Sequence, residues 1–186
     1  HQDGHSHILS STIPNCLSYD PAYAYEVAVI IKDGIQKMYV EQENYFYYIT
    51  TINENYKHPE MPKGAEEGII KGMHKIKSSD KPSVRLIGSG AILNESLKAS
   101  EILKKYNIES EVWSVTSFNL LRKDGMEIER QNQLNPLNNK KLTYVEECFE
   151  QSIPTIAATD YMRSYAEQIR PYISGQYITL GTDGYG

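Results

Sequence analysis

The sequence predicts an α/β fold with a mainly parallel sheet and flanking helices. Three observations carry this. From residue 83 onward, short apolar or β-branched runs alternate with helix-length amphipathic stretches. Tyr45-Phe-Tyr-Tyr-Ile-Thr-Thr51 is aromatic and β-branched on both faces, the composition of a strand covered on both sides. Gly88-Ser-Gly90 follows one apolar run and opens a helical one, as a tight connection between strand and helix does.

Taken in order, residues 8–19 read as loop plus a short strand, with Pro14-Asn15 marking a turn. Asp20 is expected as a helix N-cap with Pro21 at the first helical position. Val27, Ile30, Ile31, Ile35 and Met38 recur at helical spacing, and Gly34 is a plausible early stop. The strand at 45–51 follows. Residues 53–68 shift to Asn, Glu, Pro and Gly and read as a solvated connector, so a boundary is expected there. Three divisions result: 1–52, a linker over 53–82, and 83–186. Residues 69–77 suit a short helix or strand, and 78–82 a turn.

Beyond the linker, 83–87 is a strand and 91–106 a helix whose buried stripe is Ala99, Ile102, Leu103 and Tyr106, ended by Asn107. Residues 111–115 form a strand, and about 119–133 a helix interrupted near Gly125. Thr143-Tyr-Val-Glu146 has the form of a capping box opening a short helix to Phe149. Residues 153–158 are a strand, 161–172 a helix and 177–180 a last strand. Parallel strands joined this way require right-handed crossovers.

Composition narrows the partners. Hydrophobic content of 40% with 23% charged residues is ordinary for a folded domain of 186 residues. A net charge of −5, with no basic cluster to offset it, argues against nucleic acid and anionic membranes. No apolar run approaches the roughly 18 residues of a membrane span. Two cysteines, Cys16 and Cys148, make no disulfide framework, and a reducing cytoplasm is expected. Fifteen tyrosines against three phenylalanines suit a wide, partly wet interface.

His1, His5 and His7 lie within seven residues around a glycine. A metal would need a further ligand and usually a carboxylate, and neither His58 nor His74 has the spacing. Acid–base chemistry needs only one imidazole beside a reacting group. The plain alternative is a solvated histidine loop. Gly88-Ser-Gly90 lacks the third glycine of a dinucleotide fingerprint, and Val115 is not followed by an acidic residue, so a tight turn explains it better. The closing Gly181-Thr-Asp-Gly-Tyr-Gly186 could approach a ligand, though turn chemistry accounts for its glycines. Glu66-Glu67 and Glu146-Glu147 suit solvated faces, and nothing near Cys148 marks a nucleophile.

Seven segments together resemble one family: Asp3-Gly-His-Ser-His7, Ile13-Pro-Asn-Cys16, Ser18-Tyr-Asp-Pro-Ala-Tyr-Ala-Tyr-Glu-Val27, Tyr47-Tyr-Ile-Thr-Thr51, Asn53-Glu-Asn-Tyr56, Gly64-Ala-Glu-Glu-Gly68 and Thr182-Asp-Gly-Tyr-Gly186. It is the homodimeric bacterial type of the thiamine-diphosphate-dependent decarboxylating first component of the pyruvate dehydrogenase complex, within the transketolase-like superfamily. The resemblance implies that residues 1–52 end a pyrimidine-binding domain and that 83–186 are most of a transketolase-like C-terminal domain. It further implies that His7, and second to it His5, are catalytic, donating to the pyruvate carboxylate or carbonyl and moving a proton. The implied partners are a second copy of the chain, pyruvate and a lipoyl-bearing dihydrolipoyl acetyltransferase.

This sequence lacks the family's Gly-Asp-Gly…Asn segment for Mg²⁺ and the diphosphate, and the glutamate that activates the aminopyrimidine. The chain is therefore expected to be a C-terminal fragment, inactive alone, with no cofactor-binding or metal-binding residues of its own. Residues 1–52 are expected to expose strand edges and favour association. The rival readings are transketolase itself and a non-catalytic oligomerisation or docking module. Asp20 speaks against transketolase, where an arginine nearby usually meets a sugar phosphate.

Overall fold

The computed structural model describes residues 3–184. His1, named above with the other histidines, and the last two residues of the closing segment lie outside them. The chain builds two sheets. The first pairs β1 (Cys16–Tyr19) with β2 (Phe46–Ile49) in parallel, Cys16 opposite Phe46 and Tyr19 opposite Ile49. The second has the order β3-β5-β4-β6-β7, made of β3 (Met73–Lys77), β4 (Val84–Gly88), β5 (Ser110–Val115), β6 (Thr155–Met162) and β7 (Tyr177–Thr182). β4 to β7 run parallel and β3 is an antiparallel edge. The α/β class expected from the alternation is what the chain forms.

Seven α-helices flank the sheets among the described residues: α1 (Ser6–Ser10), α2 (Ala24–Ile35), α3 (Glu66–Lys71), α4 (Ile92–Lys105), α5 (Phe118–Leu134), α6 (Tyr144–Cys148) and α7 (Arg163–Glu167). Ser117 caps α5 by accepting from the Leu120 N–H at 3.1 Å. The capping box at Thr143 is present, with Glu146 Oε2 accepting from the Thr143 N–H at 2.8 Å. Asn107, at φ 60°, ends α4 in the left-handed conformation that asparagine tolerates.

Several expectations are corrected. Asp20 is no N-cap: α2 starts later, at Ala24, and Glu26 Oε2 accepts from the N–H groups of Ala22 (2.5 Å) and Tyr23 (2.9 Å). Gly34 does not stop the helix, which runs on into a π turn over Gln36–Val40. The connector read over 53–68 already carries the start of α3 at Glu66; over 69–77, where a short helix or strand was expected, α3 ends and β3 forms and joins the second sheet. In α4 the inward residues are Leu93, Ser96 and Ser100, with Ala99 and Leu103 packed beside them, whereas Ile102 and Tyr106 are exposed. The stripe is rotated because small serines let the helix lie close to the sheet. Nor is α5 broken at Gly125. There a Cβ would sit 2.1 Å from Tyr172 Cζ, so the glycine makes room for a ring rather than a bend. The single helix expected over 161–172 is the end of β6, α7 and a 3₁₀ turn at Arg170–Tyr172. Finally, β2 is not covered on both sides. Phe46 is 42% exposed, and among the described residues β1 is the one strand that pairs with β2.

The two sheets are locked by polar contacts near the C-terminal end of β5. The Asp20 N–H donates to the Thr116 carbonyl at 2.7 Å, and Ser117 Oγ to the Ser18 carbonyl at 2.6 Å. Asn119 Nδ2 donates to Ser18 Oγ and the His7 carbonyl, both at 2.6 Å. The loops that carry the histidine segment therefore sit in the crevice at the carboxyl ends of the strands, where open α/β sheets place their sites.

Candidate functional site

Where the sequence suggested a loop, residues 6–10 form the helix α1, preceded by bends at Gly4 and His5. Asp3 Oδ1 accepts from the N–H groups of His5 (3.2 Å) and Ser6 (3.0 Å), satisfying donors that begin α1. This turn swings His7 inward and leaves His5 half-exposed, with the His5 carbonyl accepting from Ile8 and Leu9. The two candidate imidazoles thus differ in burial. His58 and His74 lie elsewhere: His58 Nδ1 accepts from the Ala24 N–H at 3.1 Å, and His74 bonds Glu26.

His7 is fully buried in an aromatic box. Its ring stacks on Tyr165 (centroids 4.9 Å, 17°) and meets Tyr161 (4.7 Å, 87°) and Tyr48 (5.5 Å, 67°) edge-on. Nε2 lies 2.9 Å from Thr50 Oγ1, and Thr50 donates to Asp20 Oδ1 at 2.9 Å. A hydroxyl has one hydrogen. Where Asp20 is ionised, Thr50 gives it to Asp20 or to the Tyr19 carbonyl at 3.3 Å, and the imidazole is then the donor: Nε2 carries the proton and Nδ1 is bare. Nδ1 is buried without a hydrogen-bond partner.

Burial sets the charges. It pushes His7 down to about 4, with the Asp3 carboxylate opposing, so the ring is neutral near pH 7. Burial also pushes Asp20 up to about 7, against hydrogen bonds from Thr50 and Ser89 and helped by Glu26 and Asp160. The two shifts act oppositely on stability. Between about 4 and 6.5 the unfolded chain binds more protons at His7, so that group makes stability rise with pH. Between 3.8 and about 7 the folded chain binds more at Asp20, so that group makes stability fall. Relative to wild type, His7→Phe is expected to lose the rise and Asp20→Asn the fall, in urea midpoints followed across this window. Difference curves of the same sign for both variants would remove the assignments.

Beside these residues is a cavity of about 230 Å³ lined by Asp3, Asp20, Thr50, Gly90, Asp160 and Tyr161 among others. Gly90, at φ +52°, comes so close to Asp20 that a Cβ there would lie 2.7 Å from Oδ2. The Gly88-Ser-Gly90 turn therefore packs on a carboxylate and cradles no phosphate. Three carboxylates line the cavity and no lysine or arginine does, a donor set that does not fit a diphosphate. Among the described residues no group of three or more His, Cys, Asp or Glu could hold a metal ion. A larger groove of about 770 Å³, between α2 and α3, is lined by Val29, Met61 and Ile70 among others and reaches none of the histidines.

The resemblance singled out His7 and gave no site role to Thr50, Asp20, Tyr48, Tyr161 or Tyr165, which surround it. The unusual tyrosine count was the one available signal for the aromatic box.

Comparisons with known proteins agree with this architecture. Residues 1–59 match the family model described as pyruvate dehydrogenase E1 component middle domain, and residues 72–186 match the transketolase-like TK C-terminal domain. The pyruvate dehydrogenase E1 component of Pseudomonas aeruginosa is 55% identical over 192 residues, covering all of this chain and 22% of that protein. That of Escherichia coli K12 is 54% identical over 191 residues, covering all of this chain and 21% of that protein. The chain thus spans about one-fifth of the length of these relatives. Among solved structures, the Pichia stipitis transketolase mutant R525L superposes with a TM-score of 0.67 at 15% identity, over 97% of this chain and 23% of that one. Campylobacter jejuni transketolase gives 0.65 at 15% identity, over 100% and 24%. At such identity these structures speak for the fold alone. No helix among the described residues is long and apolar enough to cross a membrane. With both family models matched in chain order and more than half of its residues identical to these relatives, the chain belongs to the pyruvate dehydrogenase E1 component family and carries its transketolase-like C-terminal domain.

Proposed function

We propose that this chain is part of a thiamine-diphosphate-dependent, decarboxylating pyruvate dehydrogenase component that passes an acetyl group to a lipoyl-bearing dihydrolipoyl acetyltransferase in the cytoplasm. Residues 1–52 contribute to the pyrimidine-binding domain, 53–82 connect, and 83–186 form the C-terminal domain. A second copy completes the homodimer. The observation that carries the reading is His7: a neutral, buried imidazole with one nitrogen committed to Thr50 and the other unpartnered, at the carboxyl ends of the strands.

The cofactor, when bound, supplies the carbanion chemistry. Its diphosphate and Mg²⁺ find no matching donors in the cavity beside His7, and no metal cluster forms among the described residues, so no step is assigned to them here. What this chain contributes is a bare Nδ1 able to accept a proton or hydrogen bond from the substrate, in surroundings that exclude water. His5, at the half-exposed start of α1, is the secondary candidate and acts at the rim. Transketolase activity is disfavoured, because carboxylates of Asp3, Asp20 and Asp160 line the opening where a sugar phosphate would need cations.

In the complete enzyme, His7→Ala is expected to lower turnover roughly 100-fold, the scale of a lost acid–base group, while cofactor affinity changes little. His5→Ala should cost less. Steady-state kinetics with pyruvate and fluorescence titration with thiamine diphosphate check both. Turnover within twofold of wild type for His7→Ala overturns the role given to it.

A further inference from the structure

Thr50 and Asp20 come from segments 30 residues apart, yet they meet His7 in a run of hydrogen bonds, 2.9 Å at each link, with the Tyr19 carbonyl a longer second acceptor for the Thr50 hydroxyl at 3.3 Å. A threonine at a strand end needs no such arrangement. Its backbone is already satisfied, the Thr50 N–H donating to the Tyr19 carbonyl at 3.0 Å. Asp20 is likewise an expensive residue to place there, since an isolated buried carboxylate is strongly disfavoured. It is held by the Thr50 and Ser89 hydroxyls and abuts the cavity that Asp3 and Asp160 share.

We infer that Asp20 is a positioning residue for His7: through the Thr50 hydroxyl it fixes the imidazole in its Nε2–H form and receives the proton that His7 passes on. This inference rests on the reading of His7 given above. The transfer balances. A proton arriving from the substrate bonds to Nδ1, the Nε2–H proton moves to Thr50 Oγ1, and the original Thr50 proton moves to Asp20 Oδ1. The ring ends neutral, as its Nδ1–H tautomer, and the one added proton resides on the Asp20 carboxyl. The reverse sequence returns a proton from Asp20 to the substrate.

The geometry makes this route preferable to a lone imidazole. A protonated His7 would be a cation boxed by Tyr48, Tyr161 and Tyr165, with the Asp3 carboxylate opposing its desolvation. The relay keeps charge off the ring and moves it to Asp20, whose own acidic neighbours Glu26 and Asp160 favour uptake of a proton. Asp20 also borders the cavity, so the proton can exchange with solvent there.

The test uses the complete enzyme and the variants Asp20→Asn, Thr50→Val, Thr50→Ser and His7→Ala, with kcat and KM for pyruvate measured across the neutral pH range. Asp20→Asn and Thr50→Val are expected to lower kcat roughly 10- to 100-fold with little change in KM, and Asp20→Asn to displace the limb of the kcat profile near neutrality. Thr50→Ser, which restores the hydroxyl, should recover most of what Thr50→Val loses. A merely structural role would leave the pH profile in place and show no difference between valine and serine once folding is matched by circular dichroism. If Asp20→Asn and Thr50→Val keep both kcat and the wild-type limb while His7→Ala is impaired, the relay is wrong and His7 stands. If His7→Ala is itself unimpaired, the reading of His7 has failed and the relay with it. Should Asp20→Asn not fold, the valine–serine pair decides, and equal kcat for those two overturns the inference.

Discussion

Glu26→Ala is expected to lower the unfolding free energy of the chain by about 3–5 kcal/mol, the scale of removing one member of a buried, hydrogen-bonded charged cluster. Glu26 is fully buried and accepts four hydrogen bonds. Oε2 takes the N–H groups of Ala22 and Tyr23, where α2 begins. Oε1 takes His74 Nε2 from β3 and Ser114 Oγ from β5, each at 2.6 Å. One side chain therefore fastens the helix of the first unit to two strands of the second sheet. Alanine strips the acceptor from all four donors at once, and each buried donor left unpaired costs about 1–3 kcal/mol before relaxation. Because domains are stable by only about 5–15 kcal/mol, the variant should sit close to its unfolding threshold at room temperature. Glu26→Gln keeps an acceptor oxygen but must bring an NH₂ group towards a donor, so an intermediate loss is expected. Urea titrations followed by far-UV circular dichroism measure both. A loss below 1 kcal/mol for the alanine variant would show that the two units do not depend on this residue.

The same residue marks where sequence reading stops. The alternation beyond residue 83 was legible because each strand and helix declares itself within a dozen residues: 83–87 against β4 at Val84–Gly88, and 91–106 against α4 at Ile92–Lys105. Local chemistry was legible too, as at Thr143 and Asn107. What failed depended on contacts from afar. Asp20-Pro21 has the composition of a helix start, yet the carboxylate of Glu26, six residues on, sets the true start by bonding backward while its other oxygen reaches strands 48 and 88 residues on. Gly125 looked like a break because the ring of Tyr172 that fills its surface is invisible in a linear pattern. A short element was legible over 69–77 but its pairing was not, since Met73–Lys77 carries three polar residues against two apolar and nothing local shows that it joins β5 as an antiparallel edge. At the site, the resemblance pointed to His7; Asp20 and Thr50 stood inside its motif segments without a role, and Tyr161 and Tyr165 stood in none, because what joins them to His7 is a contact across the fold.

Arg85→Ala is expected to cost about 3–5 kcal/mol, for a related reason but with a different remedy. Arg85 projects from β4 and is 2% exposed. Its Nε donates to Glu111 Oε1 at 2.5 Å, Nη1 to Thr155 Oγ1 at 3.2 Å and Nη2 to the Gln151 carbonyl at 3.3 Å, while the guanidinium lies 3.9 Å from the centroid of the Phe149 ring. Burial draws the guanidinium below its ordinary value, and Glu111 opposes that draw. Truncation leaves Glu111 buried with Lys75 at 3.2 Å as its remaining charged partner, and opens a cavity under Phe149. The pair itself need not be stabilising, because desolvating both ions offsets much of their attraction. Arg85→Met combined with Glu111→Leu should therefore cost less than Arg85→Ala alone, since no charge is stranded and the volume stays filled. Urea midpoints for both variants give the comparison. A double variant less stable than Arg85→Ala would mean that the ion pair contributes net stability, and that the crossing of β4, β5 and β6 relies on it rather than on the apolar packing around Phe149.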